Sequence, residues 1–205
     1  MIELNKIYNE DCLETMARME SGSVDLILTD PPYGVRKADW DAEFPTHWIG
    51  EAKRISKRML VMTGSSELIK CGLSFGDAYR DCIVLHARNG MTRSKIAFGN
   101  WIPTLVFGAW EWKARPNYIP FNVNASEEIN HPSPKPIEAM KKLLHYYCEK
   151  EWTVYDPFMG SGTTAIACNL NGIKWIGSEI DETYLSEANK RIQKHSAQGA
   201  LALSN

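Results

Sequence analysis

The chain has 205 residues, a formal net charge of −2 and a hydrophobic fraction of 44%. These values predict one globular domain over residues 1–205, and they exclude a strongly basic protein, so any nucleic-acid binding needs a local basic surface. No window approaches the roughly 18 apolar residues of a membrane span, and the start MIELNKIYNED has no apolar signal core. We therefore expect a cytoplasmic protein. The 5 cysteines are scattered without a CxxC pair, which predicts reduced thiols and no metal site.

Apolar or β-branched runs predict strands, and segments of helical periodicity lie between most of them. The predicted strands are 24–29, 59–63, 82–86, 104–107, 153–155 and 175–180. The predicted helices are 13–19, 46–56, 136–147, 163–170 and 182–195. This alternation favours an α/β fold with a parallel sheet covered by helices on both faces. Between 80 and 110 two strand-like runs lack a helix between them, which predicts a hairpin at the sheet edge.

A glycine-bearing corner follows the strand at 153–155, in DPFMGSGTT. Gly160 and Gly162 let the backbone turn tightly and let a ligand approach closely. The helix that follows presents unpaired N–H groups at its start. Glu179, at the tip of the next strand, can accept hydrogen bonds from two ribose hydroxyls. The segment therefore predicts a cofactor that contains adenosine.

The chemistry of this corner narrows the choice of cofactor. The spacing Gly160-x-Gly162-x-x-Ala165 also fits a dinucleotide fingerprint. Asp156 places negative charge where a pyrophosphate would lie, and the chain has no second mononucleotide-binding half. Thr163 in place of lysine excludes a Walker A loop. S-adenosylmethionine, with one adenosine and a cationic centre, suits Asp156 better, although Asp156 is also compatible with a helix cap.

A second corner, Asp30-Pro31-Pro32-Tyr33, ends the strand at 24–29. If it faces a methyl sulfonium, the acceptor that needs such a corner is the exocyclic amine of a nucleobase, whose lone pair is delocalised into the ring. Asp30 and the Pro31 carbonyl, held by two fixed φ angles, can each accept one N–H and localise that lone pair. Asp30 also stabilises the charge that develops on nitrogen, and Tyr33 offers a stacking face for an extruded base. The alternative is that this corner has no catalytic role and is only a rigid turn between a strand and a loop.

TDPPYG, DPFMGSGTT and HPSPKP (residues 131–136) together resemble the three signature motifs of the S-adenosylmethionine-dependent DNA amino-methyltransferases. The catalytic motif precedes the cofactor motif, as in the permuted β group of that family. The resemblance implies a Rossmann-like methyltransferase fold with circularly permuted motif order. Its sheet would have seven strands, mostly parallel, with one antiparallel strand.

The resemblance also implies roles for individual residues. Asp11 and the Cys12 amide match the segment that contacts the cofactor adenine, and Lys135 matches the motif beside the methionine end. Asp11 as a simple helix cap and Lys135 as a surface lysine remain alternatives. The predicted cofactor site comprises Asp11, Cys12, Asp30, Lys135, Asp156, Phe158, Gly160, Ser161, Gly162, Thr163 and Glu179.

Double-stranded DNA is the expected partner, bound through local basic charge. The candidate DNA-binding residues are Arg36, Lys37, Trp40, Arg88, Arg93, Lys95, Lys113 and Arg115. In the family's fold their segments rim the carboxyl ends of the strands, where phosphate contacts set affinity without specifying sequence. Each basic residue alone could be an ordinary solvated side chain. Residues 109–135 predict a long loop, and its part at about 109–130 is a short recognition segment, which suggests a relaxed target or help from a homodimer partner.

The first residue of the catalytic corner indicates the acceptor. Asp30 favours N6 of adenine, because relatives that act on N4 of cytosine more often carry serine there. C5 methylation needs a Pro-Cys nucleophile that the sequence lacks. The alternatives are an N4-cytosine enzyme, an RNA adenine or protein amide methyltransferase, and a silent DNA-binding subunit. Intact Asp30, Gly160 and Glu179 argue against the silent subunit. A compact enzyme of this kind resembles those of bacteriophages and mobile elements.

Overall fold

A computed structural model of the protein describes residues 2–32, 44–90, 92–93, 98–123 and 134–202. The strands are β1 (Lys6–Tyr8), β2 (Leu26–Thr29), β3 (Arg58–Met62), β4 (Tyr79–Ala87), β5 (Thr92–Arg93), β6 (Phe98–Gly99), β7 (Trp101–Gly108), β8 (Tyr118–Phe121), β9 (Thr153–Asp156) and β10 (Lys174–Ser178). The helices are α1 (Cys12–Ala17), α2 (Ile49–Ile55), α3 (Leu68–Ser74), α4 (Ile137–Tyr147), α5 (Thr163–Asn171) and α6 (Glu182–Ala202), with a 3₁₀ turn at Gly76–Ala78.

The main sheet has the strand order β1-β10-β9-β2-β3-β7-β4-β8. All neighbouring strands are parallel except at β7, which runs antiparallel to both β3 and β4. This confirms the predicted α/β fold with one antiparallel strand. The described part of the sheet holds 8 strands, one more than the resemblance implied. One strand that the sequence did not predict, β8, lies inside the segment expected to be a loop.

The predicted hairpin is present but does not lie at the sheet edge. Strands β4 and β7 pair antiparallel, from Tyr79 opposite Phe107 to His86 opposite Trp101. Strand β8 pairs in parallel with β4 and forms the edge instead. Its Pro120 lacks a backbone N–H, which suits an edge strand. The expected edge position was wrong because β8 is short and its proline weakens the strand pattern.

Alternate residues of the central strands pack against opposite layers of helices. Leu26 and Leu28 of β2 lie in a core with residues of α4, α5 and α6. Ile27 between them lies in a second core with residues of α1, α2 and α3. A strand buried on both faces needs such a continuous apolar run, which is what the sequence LILT supplies.

The sheet has a carboxyl end and an amino end, defined by the direction of its parallel strands. The carboxyl end is where the parallel strands finish, marked by Thr29, Met62, Asp156 and Ser178. The amino end is where they begin, marked by Leu26, Arg58 and Thr153. Over the described residues, no helix has both the length and the apolar character needed to cross a membrane.

Candidate active site

A cavity of about 510 Å³ lies at the carboxyl end of the sheet. Its volume falls in the range of about 300–1,000 Å³ that is usual for small-molecule and cofactor sites. Every residue of the predicted cofactor site lines it except Gly162, and Pro31 and Pro32 of the other corner line it too. The fold therefore brings both glycine-bearing and proline-bearing corners, which are far apart in sequence, to one cavity.

The glycine loop owes its shape to two left-handed residues. Gly160 has a φ of 52° and Gly162 a φ of 77°, a region that glycine adopts without strain. A Cβ at Gly162 would lie 3.1 Å from the Cβ of Ala188 on α6, which is tighter than most side-chain contacts. From the same helix, Arg191 donates hydrogen bonds to the Ser161 carbonyl and, at 3.3 Å, to Thr163 Oγ1. Helix α6 thus supports the loop from outside the cavity.

Glu179 connects the tips of β9 and β10. One carboxylate oxygen accepts the Gly160 N–H at 2.8 Å, and the other accepts the Asp181 N–H at 2.9 Å. Burial raises the pKa of Glu179 above its ordinary value. Because each carboxylate oxygen has two lone pairs, the group can still accept hydrogen bonds from hydroxyls in the cavity.

Asp156, at the end of β9, is a buried hub of hydrogen bonds with 2% of its surface exposed. Its carboxylate accepts from Thr29 Oγ1 at 2.7 Å, from the Phe158 N–H at 3.0 Å and from Thr164 Oγ1 at 2.6 Å. Burial raises the pKa of Asp156 to about 6, and the nearby charge of Asp30 adds to the effect. Gly162 is the N-cap of α5, so the cap alternative for Asp156 is wrong. Its carboxylate instead connects β2, the glycine loop and α5.

Asp11 caps a helix and lines the cavity, whereas its contact with a cofactor adenine stays a prediction. Its carboxylate caps α1 by accepting the Leu13 N–H at 2.8 Å, and the residue also lines the cavity. Next to it, burial raises the pKa of the Cys12 thiol to about 12. The possible ligand atoms of Asp11, Cys12 and His47 lie within 4.8 Å of one another. All three residues line the cavity and form a polar part of its wall.

The proline corner is in direct contact with Lys135. Lys135 Nζ forms an ion pair with Asp30 Oδ2, and the two side chains are only 12% and 23% exposed. The alternative of Lys135 as a plain surface lysine is therefore wrong. Its contact with the methionine end of a cofactor stays a prediction. Four predicted residues of this corner and the loop after it lie outside the described residues: Tyr33, Arg36, Lys37 and Trp40.

The carboxyl groups give the cavity a negative wall. Six carboxylic residues line it: Glu10, Asp11, Asp30, Asp156, Glu179 and Asp181. Among the described residues that line it, Lys135 is the lone lysine or arginine. An excess of carboxylates at one cavity favours a ligand with positive charge and with hydroxyl or amine donors.

Sequence reasoning missed several residues of the site. Thr29 and Thr164 hold Asp156, and the signal for them was a polar residue at a buried strand end and at the start of a helix. Ile180 also lines the cavity and is 71% exposed, which is unusual for an isoleucine. Its position directly after the strand-end Glu179 was the available signal. Phe158 packs edge-on against Trp48, with ring centroids 5.4 Å apart, and no sequence pattern indicated that contact.

The basic residues predicted to bind DNA do not all lie at the cavity end. Arg88 follows β4 at the carboxyl end and is exposed. Lys113 pairs with Glu149 at 2.7 Å, and Arg115 lies over the rings of Trp110 and Tyr147 at 5.5 Å and 5.8 Å. Both lie near the start of β3 and β9, at the amino end, so their expected place at the carboxyl end was wrong. The side chain of Arg93 and all of Lys95 lie outside the described part.

Comparisons with known proteins agree with this architecture. A family model described as DNA methylase matches residues 110–190. The type II methyltransferase M1.MboII of Moraxella bovis is 24% identical, over 92% of this chain and 96% of its own length. Among solved structures, the M1.HpyAVI–SAM complex has a TM-score of 0.71 at 24% identity, covering 91% of this chain and 98% of its own. The cytosine-N4-specific PvuII DNA methyltransferase has a TM-score of 0.70 at 16% identity, covering 94% and 90%. These matches confirm the predicted resemblance to the S-adenosylmethionine-dependent DNA amino-methyltransferases.

Proposed function

We propose that the protein methylates the exocyclic N6 amine of adenine in double-stranded DNA, with S-adenosylmethionine as the methyl donor. One observation carries the proposal. The Asp30-Pro31-Pro32 corner opens into the same cavity as the Gly160 loop and Glu179. A corner built to accept amine N–H groups therefore shares one cavity with a loop built to hold an adenosine cofactor.

The residues of the cavity fit this cofactor. Glu179 has lone pairs for ribose hydroxyls, and the glycine loop allows close approach. Asp11, Phe158 and Ile180 line the same cavity, and we expect the adenine to bind beside them. The six lining carboxylates favour a cationic ligand. When bound, S-adenosylmethionine supplies an electrophilic methyl group on a sulfonium.

Asp30 and Pro31 prepare the acceptor amine. The Asp30 carboxylate accepts one N–H and the Pro31 carbonyl accepts the other, out of the plane of the base. This geometry would localise the nitrogen lone pair, so that the nitrogen could bond to the methyl carbon directly without a covalent enzyme intermediate. The methyl–sulfur bond would break in the same step and its electron pair would leave with S-adenosylhomocysteine. The methylated nitrogen would then lose its extra proton to water. The Asp30 carboxylate stabilises the positive charge that develops on nitrogen, which is preorganised electrostatic catalysis.

The target adenine has to leave the DNA duplex to reach this corner. Its amine is base-paired inside the double helix, whereas Asp30 lies in the wall of a cavity with its side chain only 23% exposed. Enzymes with this problem rotate the target nucleotide out of the stack. We infer base flipping here, with Tyr33 as the predicted stacking partner of the extruded base.

The alternatives differ in the acceptor or in the absence of transfer. The structural likeness to a cytosine-N4-specific enzyme keeps cytosine N4 in consideration, because both amines have the same local geometry. The leading aspartate of the corner favours adenine. RNA adenine, a protein amide and a catalytically silent DNA-binding subunit are the remaining alternatives.

The deciding experiment is methyl transfer from labelled cofactor to unmethylated genomic DNA, to RNA and to bulk protein, followed by nucleoside analysis. We expect label in DNA as N6-methyladenine. Label as N4-methylcytosine would assign the enzyme to the cytosine alternative. Label confined to RNA or protein would refute the DNA proposal, and cofactor binding without any transfer would indicate the silent subunit.

A further inference from the structure

We propose that Lys135 gates Asp30 in response to the cofactor. The Lys135 ammonium occupies the Asp30 carboxylate until the carboxylate of the cofactor's amino-acid portion draws it away. Only then is Asp30 available to the target amine, so the base engages after the cofactor. This inference rests on the proposed function of the same cavity.

The contact that carries the inference joins two distant segments. Lys135, in the approach to α4, pairs with Asp30 at the end of β2. Because both side chains are mostly shielded from solvent, the pair is stronger than an exposed surface ion pair. Any ligand that binds to Lys135 or to Asp30 must therefore compete with this ion pair.

The pair opposes catalysis while it lasts. The Lys135 ammonium draws electron density from the Asp30 carboxylate, so the carboxylate is a weaker acceptor for an amine N–H even though lone pairs remain. The ammonium also places a positive charge beside the nitrogen on which positive charge must develop, which raises the energy of the transition state. Catalysis therefore requires Lys135 to move away from Asp30.

The charges in the cavity indicate which ligand group draws the Lys135 ammonium away from Asp30. The cofactor carries a carboxylate, and six carboxylic side chains of the cavity repel such a group. Lys135 is the lone lysine or arginine among the described residues that line the cavity, so it is the cationic partner available there. The Lys135 ammonium thus pairs first with the Asp30 carboxylate and then with the cofactor carboxylate. Cofactor binding therefore increases the affinity for the target base.

The local chain suits a switch confined to one side chain. Pro134 and Pro136 flank Lys135, and their rings fix two φ angles beside it. Lysine is a compact charge on a flexible four-carbon stem, which lets the ammonium change partners while the backbone stays in place. No helix or domain movement is needed for the exchange.

The first test follows the side chains by NMR without DNA. The Lys135 signal is assigned by its loss in Lys135→Met, and the Asp30 carboxyl signal by its loss in Asp30→Asn. S-adenosylhomocysteine carries the amino-acid portion, whereas 5′-methylthioadenosine lacks it. We expect both signals to shift with the first compound and to stay unchanged with the second. Equal shifts with both compounds, or no shift with either, would overturn the gate.

The second test measures affinity for DNA that the wild-type enzyme modifies. S-adenosylhomocysteine should raise the DNA affinity of wild type by about 5–150-fold, the usual size of such coupling. In Lys135→Met the DNA affinity should be the same with and without the compound. Lys6→Met is the matched control, because Lys6, the first residue of β1, pairs with Glu3 at 2.9 Å and both side chains are exposed. It should keep the wild-type coupling.

The two proposals fail in different ways. Wild-type enzyme that transfers no methyl group to DNA would refute the proposed function, and the NMR test would still judge the Lys135 exchange. Methyl transfer with equal coupling in wild type and Lys135→Met would overturn the gate and leave the proposed function intact.

Discussion

The two ends of the sheet carry similar side chains but use them differently. At the amino end, charges meet partners: Lys113 pairs with Glu149, Arg58 lies 4.6 Å from the Trp152 ring centroid, and Arg115 lies over Trp110 and Tyr147. At the carboxyl end, counting only the described residues, six carboxylic residues and one lysine line one cavity. The amino end is neutralised and packed, whereas the carboxyl end retains an excess of one charge.

This difference indicates that the amino end contributes mainly to stability and the carboxyl end to ligand binding. At the amino end, Trp110, Tyr147 and Trp152 pack against the core. Arg58 and Arg115 lie over these rings and gain cation–π and packing energy. Burial raises the pKa of Asp156 at the carboxyl end, and the nearby charge of Asp30 adds to the effect, which is a cost to folding at neutral pH. A fold keeps such a cost where a ligand of opposite charge is to be bound.

The sharpest test compares two aspartates at opposite ends of β2. Asp30→Ala removes the predicted acceptor of the target amine, and we expect methyl transfer to fall by at least about 10²–10³-fold. Binding of S-adenosylhomocysteine should be largely retained. Asp25, at the amino end, accepts the Thr153 N–H at 2.8 Å. Asp25→Asn keeps that acceptor and should leave transfer unchanged. Equal losses in both variants would contradict the functional division between the two ends.

A second comparison uses two glutamates. Glu179→Gln leaves one side-chain oxygen to serve the Gly160 and Asp181 amides and the ligand hydroxyls, so cofactor affinity should fall by about 10–100-fold, as for a lost charge-assisted hydrogen bond. Glu149→Gln at the amino end breaks the exposed pair with Lys113 and should not change that affinity. Isothermal titration with S-adenosylhomocysteine measures both. A wild-type affinity in Glu179→Gln would remove Glu179 from the cofactor site.

The buried Asp156 yields a prediction for pH. Its pKa is about 6 in the fold against an ordinary 3.8, so the folded state binds the proton more tightly. The contribution to stability is therefore fully present below about pH 4 and is lost as pH rises to about 6. Asp156→Asn can satisfy the Phe158 amide and both threonine hydroxyls without charge, and should flatten this part of the pH–stability curve. Denaturant midpoints between pH 4 and 8 measure it.

The matched variant removes the hydrogen bonds as well as the charge. Asp156→Ala leaves the Thr29 and Thr164 hydroxyls and the Phe158 N–H without their buried partner. We expect a loss of at least about 1–3 kcal/mol in the free energy of unfolding at every pH. Equal stability of the Asn and Ala variants would show that the carboxylate does not hold these groups.

The sequence was sufficient for elements with a strong local pattern. Buried strands such as Leu26–Thr29 show as apolar runs, and the two corners that end in Asp30 and Asp156 carry prolines and glycines with specific backbone requirements. Parallel strands end on the same side of a sheet, so the meeting of these corners also followed from the fold class. The cavity residues on these two corners were predictable for that reason, whereas Thr164 and Ile180 were not.

Elements with weak local patterns were not predictable. Helix α3 was missed because Ile69 and Leu73 are exposed and Gly72 interrupts it, so no apolar face shows. The Lys135–Asp30 pair joins residues 105 positions apart, and the contact of Arg115 with Tyr147 likewise depends on the tertiary fold. Local sequence cannot tell a lysine that binds phosphate from one that pairs with Glu149.

The smallest effects separate the two arginines predicted to bind DNA. Arg115→Met removes a guanidinium stacked on Trp110 and Tyr147, so it should lower stability by about 1 kcal/mol and leave DNA affinity unchanged. Arg88→Met, at the exposed carboxyl end, should weaken DNA binding uniformly across sequences and reduce the slope of log affinity against log salt by about 1. Salt titrations of DNA binding measure both variants. If Arg115→Met changed the slope and Arg88→Met did not, the DNA surface would have to extend over the amino end of the sheet.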